Sequence, residues 1–328
     1  MRYLITGTTG FIGPYLIRKL TSLGHTCRCL IRKGSNTDAL KDFDVEYVTG
    51  DITDPATLYY ITEGMDCLIH MATIGHMNNF TVSEAMFDEV NVRGTSNIMK
   101  AALSAGINKI VHCSSVAAMG ISQDIPATEK SECYPHHPYG RSKLKAEKEV
   151  LRMFKQEKLP AIIIRFSMVY GPGDKRDMLK LIRMAKKGLF PKVGKKAKLT
   201  PLIHVEDAVE GILAAVEKGM PGEIYLITNP QSEEFDNIRK TIQQALGIRK
   251  TVLYIPEWLA LAGALFAEKT FSLFGKTPPV SRKNIESTLA DRVFSIEKAQ
   301  KELGFNPIIS PYDGIKDTVD WYKKKGWI

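Results

Sequence analysis

The sequence predicts an α/β protein, a doubly wound parallel sheet with a smaller, mainly helical C-terminal substrate domain. Three observations carry this expectation. Short β-branched runs alternate with amphipathic helical runs over the first two thirds of the 328 residues, a glycine-rich turn follows the first run, and the alternation breaks after Gly171-Pro172-Gly173.

Strand-like runs lie at Tyr3 to Thr6, Thr26 to Ile31, Val45 to Val48, Cys67 to His70, Lys109 to Ser114 and Ala161 to Ser167. Helical runs fill the gaps, among them Phe11 to Ser22, stopped by Gly24, and Tyr139 to Lys155. Past the break, Met178, Leu181, Ile182, Ala185 and Leu189 space as one apolar helix face. Short strands at Leu202 to His204 and Glu223 to Thr228 flank a helix from Glu206 to Lys218, and the chain is mainly helical from Ile238 onward. The expected division is a first domain over 1–170, to which 200–228 returns, and a second over 171–199 and 229–328.

Charge is uneven. The 45 Lys and Arg against 36 Asp and Glu leave +9, and the segment Lys175 to Lys198 alone holds ten basic residues and one acid. The remainder is balanced, which argues against nucleic acid as a partner. Five cysteines, Cys27, Cys29, Cys67, Cys113 and Cys133, form no CxxC pair, so neither a disulfide framework nor a metal site is expected. Arg2-Tyr3-Leu4-Ile5 runs straight into the glycine turn, so no signal peptide is expected. Trp258 to Ala267, ten uncharged residues, reaches about half a membrane span, so no transmembrane segment is expected. The expected location is cytoplasmic.

The turn Thr6-Gly7-Thr8-Thr9-Gly10-Phe11-Ile12-Gly13 spaces its glycines as GxxGxxG between a strand and a helix. That frame lets a pyrophosphate approach backbone amides at a helix N-terminus, the signature of a Rossmann-type dinucleotide site. The second strand ends Arg32-Lys33-Gly34-Ser35 where NAD sites place an acid. Arg32, with Lys33 and Ser35, matches a 2′-phosphate, so NADP is favoured and NAD stays possible. Asp51 is placed to meet the adenine amino group; alternatively it, or Asp54, caps the helix near Pro55. Met71 and Ala72 follow the fourth strand beside the phosphates, and His70 reads equally as a core histidine.

Tyr139 and Lys143 lie four apart at a helix start and share a face. A neighbouring ammonium favours the phenolate, which suits tyrosine to acid/base work. Ser114 and Ser115 end the fifth strand, where ligands gather and a hydroxyl can hold a substrate oxygen.

Together TGTTGFIG, the Asp51 and His70 strand ends, NVRGT from Asn91, SSVAAMG from Ser114, YGRSK from Tyr139, RFSMVYGPGD from Arg165 and HVEDAV from His204 resemble the extended short-chain dehydrogenase/reductases, the NAD-dependent epimerase/dehydratase group. The resemblance runs over almost the whole chain. It implies Ser115, not Ser114, as the catalytic hydroxyl, Tyr139 as general acid/base and Lys143 as its lysine. It extends the cofactor set to Ile52, Thr73, Asn91, Phe166, Met168 and Val169, beside Tyr139 and Lys143 themselves. It also implies a homodimer through a helix pair around Asn97 to Ala105 and Tyr139 to Lys155.

Three departures from the family pattern bear on substrate. Met168 stands where sugar-nucleotide relatives carry asparagine, Val116 where dehydratases carry an acid, and Met119 where a tyrosine is usual. With the apolar stretch from Trp258 to Phe274, followed by Gly275-Lys276-Thr277-Pro278-Pro279, they resemble the dihydroflavonol-reductase and 3β-hydroxysteroid-dehydrogenase-like branch. That stretch reads as a packing helix, a substrate lid or a peripheral membrane contact. The basic run, with its Lys195-Lys196-Ala197-Lys198 cluster, reads as a solvated face or as a site for an acidic substrate or membrane surface. The expected function is an NADP-preferring oxidoreductase acting on a small, apolar carbonyl or secondary alcohol. The alternatives are a nucleotide-sugar epimerase and a non-catalytic NADP-binding sensor.

Overall fold

A computed structural model describes residues 1–75, 82–195, 198–249, 253–273 and 291–328. Its strands are β1 (Arg2–Thr6), β2 (Thr26–Ile31), β3 (Glu46–Thr49), β4 (Cys67–His70), β5 (Lys109–Ser115), β6 (Ala161–Phe166), β7 (Met168–Tyr170), β8 (Lys192–Val193), β9 (Leu199–Thr200), β10 (Leu202–His204), β11 (Ile224–Ile227), β12 (Glu233–Glu234) and β13 (Tyr254–Ile255). The helices are α1 (Gly13–Ser22), α2 (Tyr59–Thr62), α3 (Glu84–Phe87), α4 (Gly94–Ser104), α5 (Pro138–Glu157), α6 (Asp177–Lys187), α7 (Val205–Lys218), α8 (Phe235–Leu246), α9 (Glu257–Leu273) and α10 (Pro311–Lys324).

A seven-stranded sheet runs in the order β11-β6-β5-β4-β1-β2-β3, with every neighbouring pair parallel. Consecutive residues on each strand point to opposite faces, and here both faces are buried. Ile5, Val111 and Ile162 join Leu16, Ile17, Val209 and Ile212 of α1 and α7 on one side. Leu4, Ile110 and Ile163 join Ile98, Met99, Val150 and Met153 of α4 and α5 on the other. This two-sided burial explains why the strand runs are almost wholly apolar. The strand order reverses between β1 and β4, so the crevice at their carboxyl ends is the expected ligand position.

The expected strand Ala161 to Ser167 ends at Phe166, and the chain leaves the sheet there. Met168–Tyr170 pairs in parallel with Leu202–His204 instead, while Ile224–Ile227 returns to the main sheet beside β6. A third apolar cluster gathers Met178, Leu179 and Ile182 of α6, Ile238 and Ile242 of α8, and Ile315, Val319 and Tyr322 of α10. Leu189 departs from its expected place on the α6 face. The helix stops at Gly188, whose φ of +73° reverses the chain, and Leu189 is left exposed.

Candidate active site

The glycine turn is shaped by backbone meeting backbone. Gly7 has φ +77°, and a Cβ there would stand 2.7 Å from the Ala72 nitrogen and 2.8 Å from the Met71 carbonyl carbon. Only glycine satisfies both conditions. Gly13 is equally constrained, since a Cβ would lie 1.9 Å from Thr8 O. No side chain caps the N-terminus of α1, so its backbone N–H groups are left for an anion. Thr9 and Gly10 are exposed and Phe11 and Ile12 half-buried on this turn. An uncapped helix start and a glycine turn free of side-chain bulk fit a dinucleotide pyrophosphate.

A buried relay holds the two strand ends together. Ala72 N–H donates to Thr6 Oγ1 at 3.1 Å, and Thr6 Oγ1 lies 2.7 Å from His70 Nδ1. His70 Nε2 lies 3.0 Å from Thr95 Oγ1, whose proton goes to Asn91 O at 2.7 Å. The Thr95 hydroxyl has one hydrogen, so Nε2 carries the imidazole proton and Nδ1 accepts. Burial, aided by the Lys143 charge, pushes the His70 pKa down to about 3. His112, stacked on it at 5.3 Å, is likewise held neutral by burial. His70 is thus a structural core histidine.

Asn91 is 1% exposed. Its Oδ1 accepts from Thr73 Oγ1 at 2.9 Å and Ile74 N–H at 2.8 Å, and its Nδ2 donates to Ile74 O at 3.2 Å and Ser142 Oγ at 2.9 Å. The amide is fully occupied. Ser142 donates in turn to Tyr139 O at 2.8 Å, so Asn91 ties the segment after β4 to the start of α5.

Ser115 ends β5, and its Oγ accepts from Ala117 N–H at 3.1 Å, turning the chain at Val116–Ala118. On α5 a Cβ at Gly140 would stand 2.4 Å from Ala117 O; its absence lets the helix start dock on this turn. Tyr139 is thereby brought into hydrogen bonding with Ser115 and rests against Phe87 at 6.2 Å between ring centres. Burial raises the Tyr139 pKa, and the Ser115 hydrogen bond and the Arg176 charge oppose that rise. Lys143, 2% exposed, donates from Nζ to Cys113 O at 2.7 Å. Burial lowers its pKa to about 8, against the opposing pull of Cys113 and Glu147.

Two supporting groups escaped the sequence reading. Glu147, one turn beyond Lys143, accepts from Ser114 Oγ and from Arg165 Nη2 at 2.7 Å. Its spacing of four from Lys143 was the available signal. Asp174, 1% exposed, accepts from Arg176 N–H at 3.0 Å and Nε at 3.1 Å, while its carbonyl accepts from Tyr322 Oη. The Arg176 guanidinium lies 5.5 Å from the centre of the Phe11 ring, and Tyr15 Oη donates to Pro172 O at 2.6 Å. The loop after β7 is therefore stitched to the glycine turn.

Arg32 and Lys33 are exposed, with Ser35 half-buried and its N–H donating to Arg32 O at 3.0 Å. Among the described residues neither cation has an acidic partner. Asp54 is the cap, accepting from Ala56 N–H at 3.1 Å. Asp51 instead accepts from Thr53 N–H at 2.9 Å and its hydroxyl at 2.8 Å, both on Oδ1. Ile52 is buried and its carbonyl accepts from Asn97 at 2.9 Å. Phe166 and Val169 are buried and Met168 half-buried at the β6–β7 break.

Much of the basic run is answered locally. Arg183 donates to Trp327 O at 3.1 Å, Lys175 lies over the Trp327 ring at 5.4 Å, and Lys192 and Lys198 each stand 3.9 Å from Asp236 and Glu257 respectively. Lys192, Lys195, Lys198 and Arg239 border a cavity of about 190 Å³ with Phe190 and Phe235. Lys196, Ala197 and the stretch Phe274 to Pro279 lie outside the described residues. Among the described residues no group of His, Cys, Asp and Glu is arranged to hold a metal ion.

Residues 3–228 match the family model described as the NAD dependent epimerase/dehydratase family. The chain is 29% identical to sterol demethylase protein B of Methylococcus capsulatus over 100% of both chains. It is 29% identical to short-chain dehydrogenase/reductase family 42E member 1 of Mus musculus, covering 98% of this chain and 87% of that one. The crystal structure of gox2253 superposes with a TM-score of 0.87 at 32% identity, covering 99% of each chain.

Proposed function

The chain belongs to the NAD dependent epimerase/dehydratase family, and from that premise we propose that it is an oxidoreductase moving hydride between a nicotinamide dinucleotide and a carbonyl or secondary alcohol. NADP is the preferred cofactor, and the substrate is small and largely apolar. The observation that carries the reading is the convergence of Ser115 at the end of β5 with Tyr139 and the buried Lys143 on the first turns of α5.

When bound, the dinucleotide supplies or takes up the hydride. Tyr139 gives its phenolic proton to the substrate oxygen in reduction and recovers it in oxidation. Ser115 holds that oxygen as charge develops on it. Lys143 favours the phenolate as a buried cation. Of its three N–H donors one is committed to Cys113 O, and the others are open to cofactor hydroxyls. The glycine turn at Gly7, Thr9, Gly10, Phe11, Ile12 and Gly13 would hold the pyrophosphate, and Arg32, Lys33 and Ser35 the 2′-phosphate. Asp51 and Ile52 would hold the adenine, Met71, Ala72 and Thr73 the phosphates, and Phe166, Met168 and Val169 the nicotinamide end. Asn91 positions this set through Ser142.

The apolar substrate class rests on Val116 and Met119, buried in the turn that follows Ser115, on Met168, and on a relative named for sterol demethylation. Five free thiols favour a reducing, cytoplasmic location, and the outer faces of α4 and α5 are the proposed homodimer contact. Tyr139→Phe tests the reading: turnover on a ketone and alcohol panel should vanish while NADPH binding, followed by its fluorescence, stays nearly intact. Retained turnover overturns it.

A further inference from the structure

The loop after β7 reaches back to the glycine turn and brings a cation with it. Tyr15 of α1 donates to Pro172 O at 2.6 Å, and the Arg176 guanidinium lies 5.5 Å from the centre of the Phe11 ring. Phe11 belongs to the glycine turn, just ahead of the N-terminus of α1 that no side chain caps.

Asp174 fixes how this arginine is presented. Its Oδ1 accepts from Arg176 N–H at 3.0 Å and from Nε at 3.1 Å, and its Oδ2 accepts from Met178 N–H at 3.3 Å in the first turn of α6. The carboxylate is 1% exposed and the arginine side chain 44%. Nε is thereby committed, while Nη1 and Nη2 hold no partner among the described residues. An arginine held at one edge and open at the other offers a charged fork to a phosphate or carboxylate.

The glycine turn lacks such a group of its own. The cations of α1 are spent on α7, Arg18 on Glu206 at 3.2 Å and Lys19 on Glu210 at 2.6 Å. A pyrophosphate is charged on both phosphates, and the amides of a helix N-terminus set only partial charges against it.

We propose that Arg176 binds the pyrophosphate of the dinucleotide, completing from the second domain a site that the glycine turn begins. The proposal rests on the reading of that turn as a dinucleotide site. An acidic group on the substrate is the competing occupant, because the Arg176 charge also reaches Tyr139. The contact with Phe11, inside the turn itself, favours the pyrophosphate.

Equilibrium binding without turnover tests this. Arg176→Gln should weaken NADPH and NADH alike by about 10–100-fold, the size of one charge-assisted hydrogen bond, followed by nucleotide fluorescence. ADP-ribose, competing against NADPH, should lose as much, and 2′-AMP, which has no pyrophosphate, should lose nothing. Arg176→Lys keeps a cation beside Asp174 without the fork and should fall between the parent and Arg176→Gln, with thermal unfolding of the unliganded variants showing that each is folded. Unchanged NADPH and NADH affinity in either folded variant overturns the proposal and leaves the oxidoreductase reading standing. So does a loss confined to the KM of an acidic substrate, or an equal loss for 2′-AMP. A parent that binds neither dinucleotide overturns both.

Discussion

Glu147 and Arg165 form a buried ion pair one helical turn below Lys143, with Arg165 Nη2 donating to Glu147 Oε2 at 2.7 Å and side chains 1% and 3% exposed. The pair joins α5 to β6, and through Ser114 to the strand end that carries Ser115. Removing one partner strands a charge away from water. Arg165→Met should cost about 3–5 kcal/mol, and Glu147→Leu with Arg165→Met should recover part of that loss. Thermal unfolding of the single and double variants checks it; a double variant less stable than Arg165→Met contradicts it.

The alkaline behaviour should follow Lys143. Burial brings its pKa from 10.5 down to about 8. The folded state therefore sheds this proton earlier than the unfolded chain, so the lysine's own contribution to stability rises with pH between about 8 and 10.5. Turnover should run the other way, falling above about pH 8 as the ammonium is lost. Lys143→Met should lower turnover by about 10²–10⁴-fold, the usual size of a lost acid/base contribution, and remove that limb from the pH–rate profile.

Arg176 acts on Tyr139 from outside the Tyr-x-x-x-Lys motif. Its charge opposes the rise in the tyrosine pKa caused by burial. Arg176→Gln should move the Tyr139 ionisation to higher pH, displacing the acid limb of alcohol oxidation upward. An unmoved limb would show that the guanidinium does not act on the phenol.

The proposed preference for NADP rests on two exposed cations, Arg32 and Lys33. Arg32→Ala should raise the KM for NADPH by about 10–100-fold, the equivalent of one charge-assisted hydrogen bond to a phosphate, and leave that for NADH nearly unchanged. Paired kinetics with both cofactors read the difference directly. A parent enzyme that prefers NADH refutes the 2′-phosphate site.

Local patterning alone determined the doubly wound sheet. A strand buried on both faces must be almost wholly apolar, so β1, β2, β4, β5 and β6 were legible to within a residue or two. The glycine turn and the shared face of Tyr139 and Lys143 were legible for the same reason, because both depend on spacing along one short segment. Tertiary structure decided what distant segments do to one another. It sent Met168–Tyr170 out of the sheet to pair with Leu202–His204, made Asp54 and not Asp51 the cap, and spent both ends of the Asn91 amide inside the protein. It also set Arg165 against Glu147 and Arg176 near Tyr139, partners with no fixed spacing in the chain. Hydrogen bonds and charges act over a few ångströms in space, and only the folded backbone sets which residues come that close.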